Sequence, residues 1–155
     1  MGTWKSRGLR GSLLEEEINH TIALYEEKNL ALIQKIPTPI TPIKLDQSHN
    51  QITLAYFDKK STVDYMGIVQ GIPICFDAKE CHKDSFPLQN LHAHQMDFMK
   101  RFMLQGGISF IILSFSKRGE KYYVPYRELE HFYRRMEEGG KKSFRYDELR
   151  EAFLV

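Results

Sequence analysis

The stretch GIPICFDAKECHKDSFPL, residues 71–88, sets the tightest constraint on how this chain can fold. Its left half, IPICF, reads as a buried strand, yet the same run carries Asp77 and Lys79. Taking ionic groups out of water costs several kcal/mol each unless they are paired or hold a metal. Strand periodicity sets Asp77 and Lys79 on one face, with Phe76 and Ala78 on the other. The strand therefore ends either in a structural ion pair or in one wall of a working site.

The 155 residues suit one domain with its own core, and the composition, 42% hydrophobic and 27% charged, is that of a soluble globular protein. No apolar run approaches the ~20 residues of a membrane span, and the N-terminus lacks a signal-peptide core. No membrane partner is expected. Cys75 and Cys81 make no disulfide framework, so a reducing cytoplasm is the expected compartment. A net charge of +2 does not announce nucleic-acid binding. The basic residues are nevertheless clustered: Lys5, Arg7 and Arg10 in a Gly-rich start, and Arg134, Arg135, Lys141, Lys142 and Arg145 near the end. Either cluster reads as solvated surface or as phosphate contacts.

Residues 1–11 read as a flexible basic arm, and 12–155 as a single domain. SLLEEEINHTIALYEEKN places Leu14, Ile18, Ile22 and Tyr25 at helical spacing, and Ser12 with Glu15 fits a capping box. LALIQKI predicts a strand. Prolines 37, 39 and 42 exclude a central strand or a helix interior over PTPITPIKLDQSHN, which reads as a projecting stalk at about 37–50. There Lys44 and His49 could approach phosphates. QITLAYF predicts the next strand, and STVDYMGIV and GIPICFDAKE flank a Gln-Gly hairpin turn. LQNLHAHQMDFMKRFMLQGG predicts a helix with a Gly-Gly stop. ISFIILSF and KYYVPY are strands, YRELEHFYRRMEE a helix and YDELREAF a short last helix. This order predicts an α/β fold, a central mixed β-sheet flanked by helices.

The acid-x-Lys pattern occurs three times, at Glu26–Lys28, Asp58–Lys60 and Asp77–Lys79. The first two read as charged surface; the third follows an apolar strand. Asp64 begins the preceding half of the hairpin, so an antiparallel pair brings it near Asp77. Two like charges that close repel unless a cation lies between them. Oxygen ligands with open water positions favour Mg²⁺, with Mn²⁺ as a substitute. Leu91, Gln95, Phe98 and Phe102 share a helical face, and a glutamine in that apolar stripe needs a polar partner. His92 and His94, two apart on a predicted helix, diverge and read as ordinary histidines.

Asp64 followed by Asp77-Ala78-Lys79 resembles the PD-(D/E)xK nuclease signature. STVDYMG, FDAKE, SFPLQNLHAHQ, AYF and the RG…LEEEIN start are together similar to the RecU family of Holliday junction resolvases. That resemblance implies a restriction-endonuclease-like core with a protruding stalk, and a homodimeric, Mg²⁺-dependent endonuclease that cuts four-way DNA junctions symmetrically. It implies metal binding by Asp64 and Asp77. Lys79 would orient the nucleophilic water or stabilise the phosphate, and Glu15 and Gln95 would complete the site. Arg7, Arg10, Lys44 and Thr62 are the candidate DNA contacts. A recombinase or branch-migration protein is the implied further partner. The family often has Glu where this chain has Asp77, which pulls the ligand back by one methylene. The alternatives are a fork or flap nuclease of the same superfamily, and a non-catalytic junction-binding or recombinase-modulating protein.

Overall fold

In a computed structural model of the chain, residues 13–57 and 62–149 are described. The order is α1 (Leu13–Glu27), β1 (Ala31–Lys35), β2 (Ile40–Asp46), β3 (Gln51–Phe57), β4 (Tyr65–Val69), β5 (Ile72–Cys81) and β6 (Ser85–Pro87). Then come α2 (Ala93–Leu104), β7 (Ile108–Phe115), β8 (Glu120–Pro125), α3 (Tyr126–Glu137) and β9 (Ser143–Arg145). The arm at 1–11, Ser12 of the expected capping box and the Asp58–Lys60 run lie outside the described residues. The expected last helix, 146–153, lies partly outside the described residues; within them Tyr146–Glu148 forms a 3₁₀ turn that ends at an extended Leu149.

The expected mixed sheet is present, with five strands in the order β1-β4-β5-β7-β8. β5 and β7 are parallel, joined by a crossover through α2; the other pairings are antiparallel. The near-continuous apolar run of β7 follows from burial on both faces. On one face Ile18 and Ile22 of α1 pack against Ile33, Ile74 and Phe76. On the other, Met96 and Met99 of α2 and Leu129 and Phe132 of α3 pack against Cys75, Ile111 and Leu113. On the α1 face four rings run in a row across four strands. Tyr65–Phe76 and Phe76–Phe110 stack at 4.8 Å, and Phe110–Tyr123 meet at 4.7 Å.

Local chemistry sets the turns. Gln70 and Gly71 between β4 and β5 both have positive φ (48° and 83°), as a two-residue hairpin turn with the right twist requires. The helices end alike. In α2 the Gly106 N–H donates to Met103 O and the Gly107 N–H to Phe102 O; α1 ends on Asn29 and α3 on Gly139 in the same pattern. Each of the three residues has positive φ, and the paired bonds satisfy carbonyls that the last turn leaves open.

One expectation is corrected. QITLAYF, read as a strand of the central sheet, is β3, and it pairs only with β2 in a separate two-stranded ribbon. The prolines explain its partner: Pro42 sits beside a register shift, which a ribbon edge accepts and a central strand does not. The ribbon thus joins β2, from the segment 37–50 expected as a stalk, to β3 beyond it. Among the described residues neither face is covered: Ile40, Ile43, Leu45, Ile52, Leu54, Tyr56 and Phe57 are all exposed.

Candidate active site

β5 outlasts its neighbour. β4 pairs with it only as far as Tyr65↔Phe76, while β7 continues to Cys81. From Asp77 onward the β4 side of the strand is therefore open. Asp64, one residue before β4, fills that gap with its own polar groups. Its N–H donates to Asp77 Oδ1 at 2.9 Å, and its Oδ2 accepts the Ala78 N–H at 2.9 Å.

Asp77 is 1% exposed, so its charge must be answered within the protein. Lys79 Nζ lies 2.8 Å from Asp77 Oδ2, on the same strand face as expected. Gln95 Nε2 donates to the same oxygen at 3.1 Å. Gln95 Oε1 in turn accepts from Lys79 Nζ and from the backbone N–H of His92, both at 3.3 Å. This is the polar partner that a glutamine in an apolar stripe demands. Because Gln95 sits in the first turn of α2, the same bonds fasten the start of the crossover helix to the acid.

Glu15 comes from α1, and Lys35 Nζ pairs with it at 2.7 Å. Behind it the Leu14 N–H, one of the open donors of the first helical turn, donates to Glu80 Oε1 at 3.2 Å. Sequence reasoning missed Glu80. It follows Lys79 on β5, so one strand carries the acid–lysine pair on one side and anchors the start of α1 from the other.

A cleft of about 490 Å³ is lined by all five predicted catalytic residues, Glu15, Asp64, Asp77, Lys79 and Gln95, together with Ala78, His92 and His94. Burial, and next the Asp77 charge beside it, push the Asp64 carboxyl up to about 7. Two crowded acids that resist joint ionisation are what a divalent cation relieves, and their hard oxygens suit Mg²⁺ or Mn²⁺. Among the described residues no three His, Cys, Asp or Glu side chains are gathered closely enough to hold a metal alone. A two-carboxylate site completed by water and substrate phosphate is the usual manner of Mg²⁺. The donor set fits.

The other candidates fall elsewhere. Lys44 lies on the ribbon, and Thr62 is half-buried just before Asp64 without lining the cleft. Arg7 and Arg10 lie outside the described residues. His49 is tied to Asp46 at 2.7 Å at the ribbon tip. In the second basic cluster Arg135 pairs with Glu148 at 2.6 Å and Arg145 with Asp147 at 3.3 Å, so those two serve local structure. The reading of His92 and His94 as diverging is overturned: their rings stack at 5.5 Å, within 7° of parallel. His92 is the N-cap of α2 in extended conformation, not a residue inside the helix, so helical angles do not separate the two. Its HAHQ context at a helix start was the available signal.

An acid–x–lysine strand, a second acid before the preceding strand and a glutamine from the crossover helix define an α/β protein with the PD-(D/E)xK pattern in space. The family model for Recombination protein U, RecU, matches residues 9–155, and the chain belongs to that family. Similar curated proteins include the Holliday junction resolvase RecU of Listeria welshimeri, 42% identical over 149 residues, covering 94% of this chain and 74% of that protein. That of Leuconostoc mesenteroides is 44% identical over 152 residues, covering 96% and 74%. That of Staphylococcus aureus is 41% identical over 148 residues, covering 93% and 71%. Among solved structures, the Holliday junction resolvase Hjc of Archaeoglobus fulgidus is similar with a TM-score of 0.46 at 10% identity, over 76% of this chain and 73% of that one.

Proposed function

We propose that this protein is a structure-selective DNA endonuclease that resolves four-way junctions in recombination and repair, with Mg²⁺ as cofactor and Mn²⁺ as a substitute. The observation that carries the reading is the buried Asp77–Lys79 pair with Asp64 locked opposite it in one open cleft. The names of the similar RecU proteins support the choice of junction DNA as substrate. A non-catalytic junction binder has no use for a buried acid pair whose repulsion it must carry.

Asp64 and Asp77 would hold the cation, which supplies charge neutralisation at the phosphate and a more acidic water. The chain's own groups do the positioning. Asp77 and Gln95 fix the Lys79 ammonium, which donates to the attacking water or to a phosphate oxygen. Gln95 also holds Asp77 in one orientation. Glu15 adds a third carboxylate at the cleft wall, restrained by Lys35.

A junction cut symmetrically needs two sites related by a two-fold axis, so the working form is a homodimer. The ribbon is the stalk that enters the open junction centre. A recombinase or branch-migration protein is the further partner, and the cytoplasm the compartment. No described helix is long and apolar enough to cross a membrane.

Labelled four-way, forked and linear duplex DNA, incubated with and without Mg²⁺, tests the reading. Junction cutting that requires the metal is expected. Preferred cutting of forks would move the substrate, and junction binding without cleavage under Mg²⁺ and Mn²⁺ would overturn the enzyme.

A further inference from the structure

The cleft is poorly charged for the substrate it would hold. Glu15, Asp64 and Asp77 line it with a single lysine, and Lys79 already faces Asp77 at 2.8 Å. Affinity for a polyanion must then come from cations outside it. The turns that follow β5 and β7 supply them. The two strands run parallel, so both turns fall at the carboxyl end of the sheet, where open α/β sheets take their ligands. Two contacts fasten the turns together: the Ser116 N–H donates to Cys81 O at 3.0 Å, and Ser116 Oγ lies 2.6 Å from His82 Nδ1. Lys83 and Lys117 each stand one residue further on, and both are exposed. The 82–85 turn is held in shape by Cys81 Sγ, 3.2 Å from both Lys83 O and Ser85 O. From there the chain runs through β6, which pairs with β9 and then takes a bond from Leu88 N–H to Lys142 O at 2.9 Å. Lys142 is exposed as well.

Among the described residues none of these three ammonium groups has a hydrogen-bond or ion-pair partner. The neighbouring arginines are engaged. Arg118 pairs with Glu120 at 3.1 Å and Arg145 with Asp147 at 3.3 Å, both arginines lie against the Tyr146 ring, and Asp84 is within electrostatic reach of each. Five cations thus stand against three acids, and the lysines carry the excess. Four residues of chain separate Lys79 from Lys83, at most ~14 Å. That is about four base steps along one DNA strand.

We infer that Lys83, Lys117 and Lys142 form a phosphate-binding stripe that holds the double-stranded DNA arm leading away from the bond being cut. This rests on the nuclease reading. Contacts to the backbone alone read neither sequence nor junction shape, so the stripe anchors any duplex arm and takes no part in bond breaking.

The test compares wild type, a Lys83→Gln/Lys117→Gln/Lys142→Gln variant, the corresponding triple Arg variant, and Lys28→Gln as a control. Lys28 is exposed at the end of α1, away from the stripe. Thermal unfolding first confirms that each is folded. Anisotropy of a labelled junction and of a linear duplex, in EDTA at several salt concentrations, gives affinity and its salt slope without cleavage. Each lost phosphate contact lowers the slope of log affinity against log salt by ~0.9. We expect the triple Gln variant to lose about 2–3 in slope and to bind both DNAs at least ~25-fold more weakly at low salt, at about three- to fivefold per lysine. The junction-to-duplex ratio should stay within about twofold, because the stripe reads no shape. The Arg variant should keep the wild-type slope, and Lys28→Gln should bind as wild type. An unaltered slope in the triple Gln variant, or an equal loss per lysine at Lys28, overturns the stripe. A wild type that binds DNA but cuts none in Mg²⁺ or Mn²⁺ would overturn the nuclease reading while leaving the slope comparison intact.

Discussion

Asp64 and Asp77 lock each other across the hairpin. The Asp64 amide donates to Asp77 Oδ1 at 2.9 Å, while the Asp64 carboxylate takes the amide next to Asp77, that of Ala78, also at 2.9 Å. An acid on β5 and an acid one residue before β4 thereby occupy the place of two backbone rungs. Their spacing is set by these bonds at the edge of the sheet.

Asp77→Asn is expected to keep the fold and DNA binding and to lower metal-dependent cleavage by ~10³-fold or more, on the scale of losing one fixed charge-stabilising group. An amide can still accept the Asp64 N–H but no longer balances Lys79. Near-normal Mg²⁺-dependent cutting by this variant would remove Asp77 from the site.

The Asp64 carboxyl gives a pH signature in the metal-free protein. Its value rises from the ordinary 3.8 to about 7 on folding. Between those values the folded state keeps a proton that the unfolded chain has released, so stability falls as pH rises from about 4 to about 7 and is level above. A three-unit rise is worth about 4 kcal/mol at full weight, and we expect ~1–2 kcal/mol after discounting for the half-buried setting. Urea midpoints in EDTA at several pH values, compared between wild type and Asp64→Asn, measure it. An identical slope in the two proteins would be fatal to the idea.

Glu80→Ala should cost about 1 kcal/mol, the scale of a lost helix cap, because the Leu14 N–H then has no acceptor there. Glu80→Gln keeps an acceptor and should sit nearer wild type. We expect the alanine variant also to need more Mg²⁺ for half-maximal cleavage, since Glu15 rides on the same helical turn. Denaturation midpoints and a Mg²⁺ titration of rate check both parts; an unaltered alanine variant removes the anchor.

The ribbon should be separable from the sheet. Lys35 and Tyr65 are register partners, and the Ile36 N–H donates to Asp64 O at 2.7 Å, so the chain leaves and re-enters the sheet at adjacent points. Replacing residues 38–61 with a short Gly-Ser link should leave stability within ~1 kcal/mol, because the ribbon shares no rung with the sheet. It should lower the ratio of junction to duplex affinity more than duplex affinity itself. That ratio is read from Kd values at one salt concentration. An unchanged ratio would assign selectivity elsewhere.

Much of this was legible in the residues. The apolar run 108–115 coincides with β7, and alternation plus a Gln-Gly turn was enough to set Asp64 opposite Asp77. What stayed hidden depended on where elements stop. QITLAYF alternates like a sheet strand, but no pattern tells which partner it takes. The overhang of β5 is a difference in length between neighbours, invisible in either strand alone. His92 and His94 are misread when the helix is begun at Leu88, because α2 starts at Ala93. Glu80 meets a helix start 66 residues away, which leaves no local trace.

The ring row on the α1 face bears on inheritance as well as on stability. Tyr65, Phe76 and Phe110 are register partners on successive strands, directly behind Asp77. A slip of one residue in β5 would turn Phe76 toward the cleft and Asp77 into the aromatic row. The stack thus enforces parity: it decides which alternate set of side chains faces the acids' side. A lineage can preserve every letter of the Asp–x–Lys motif and still lose the site through drift at Phe76 or Phe110. A substitution among rings that line no part of the cleft can therefore change which side chains it presents.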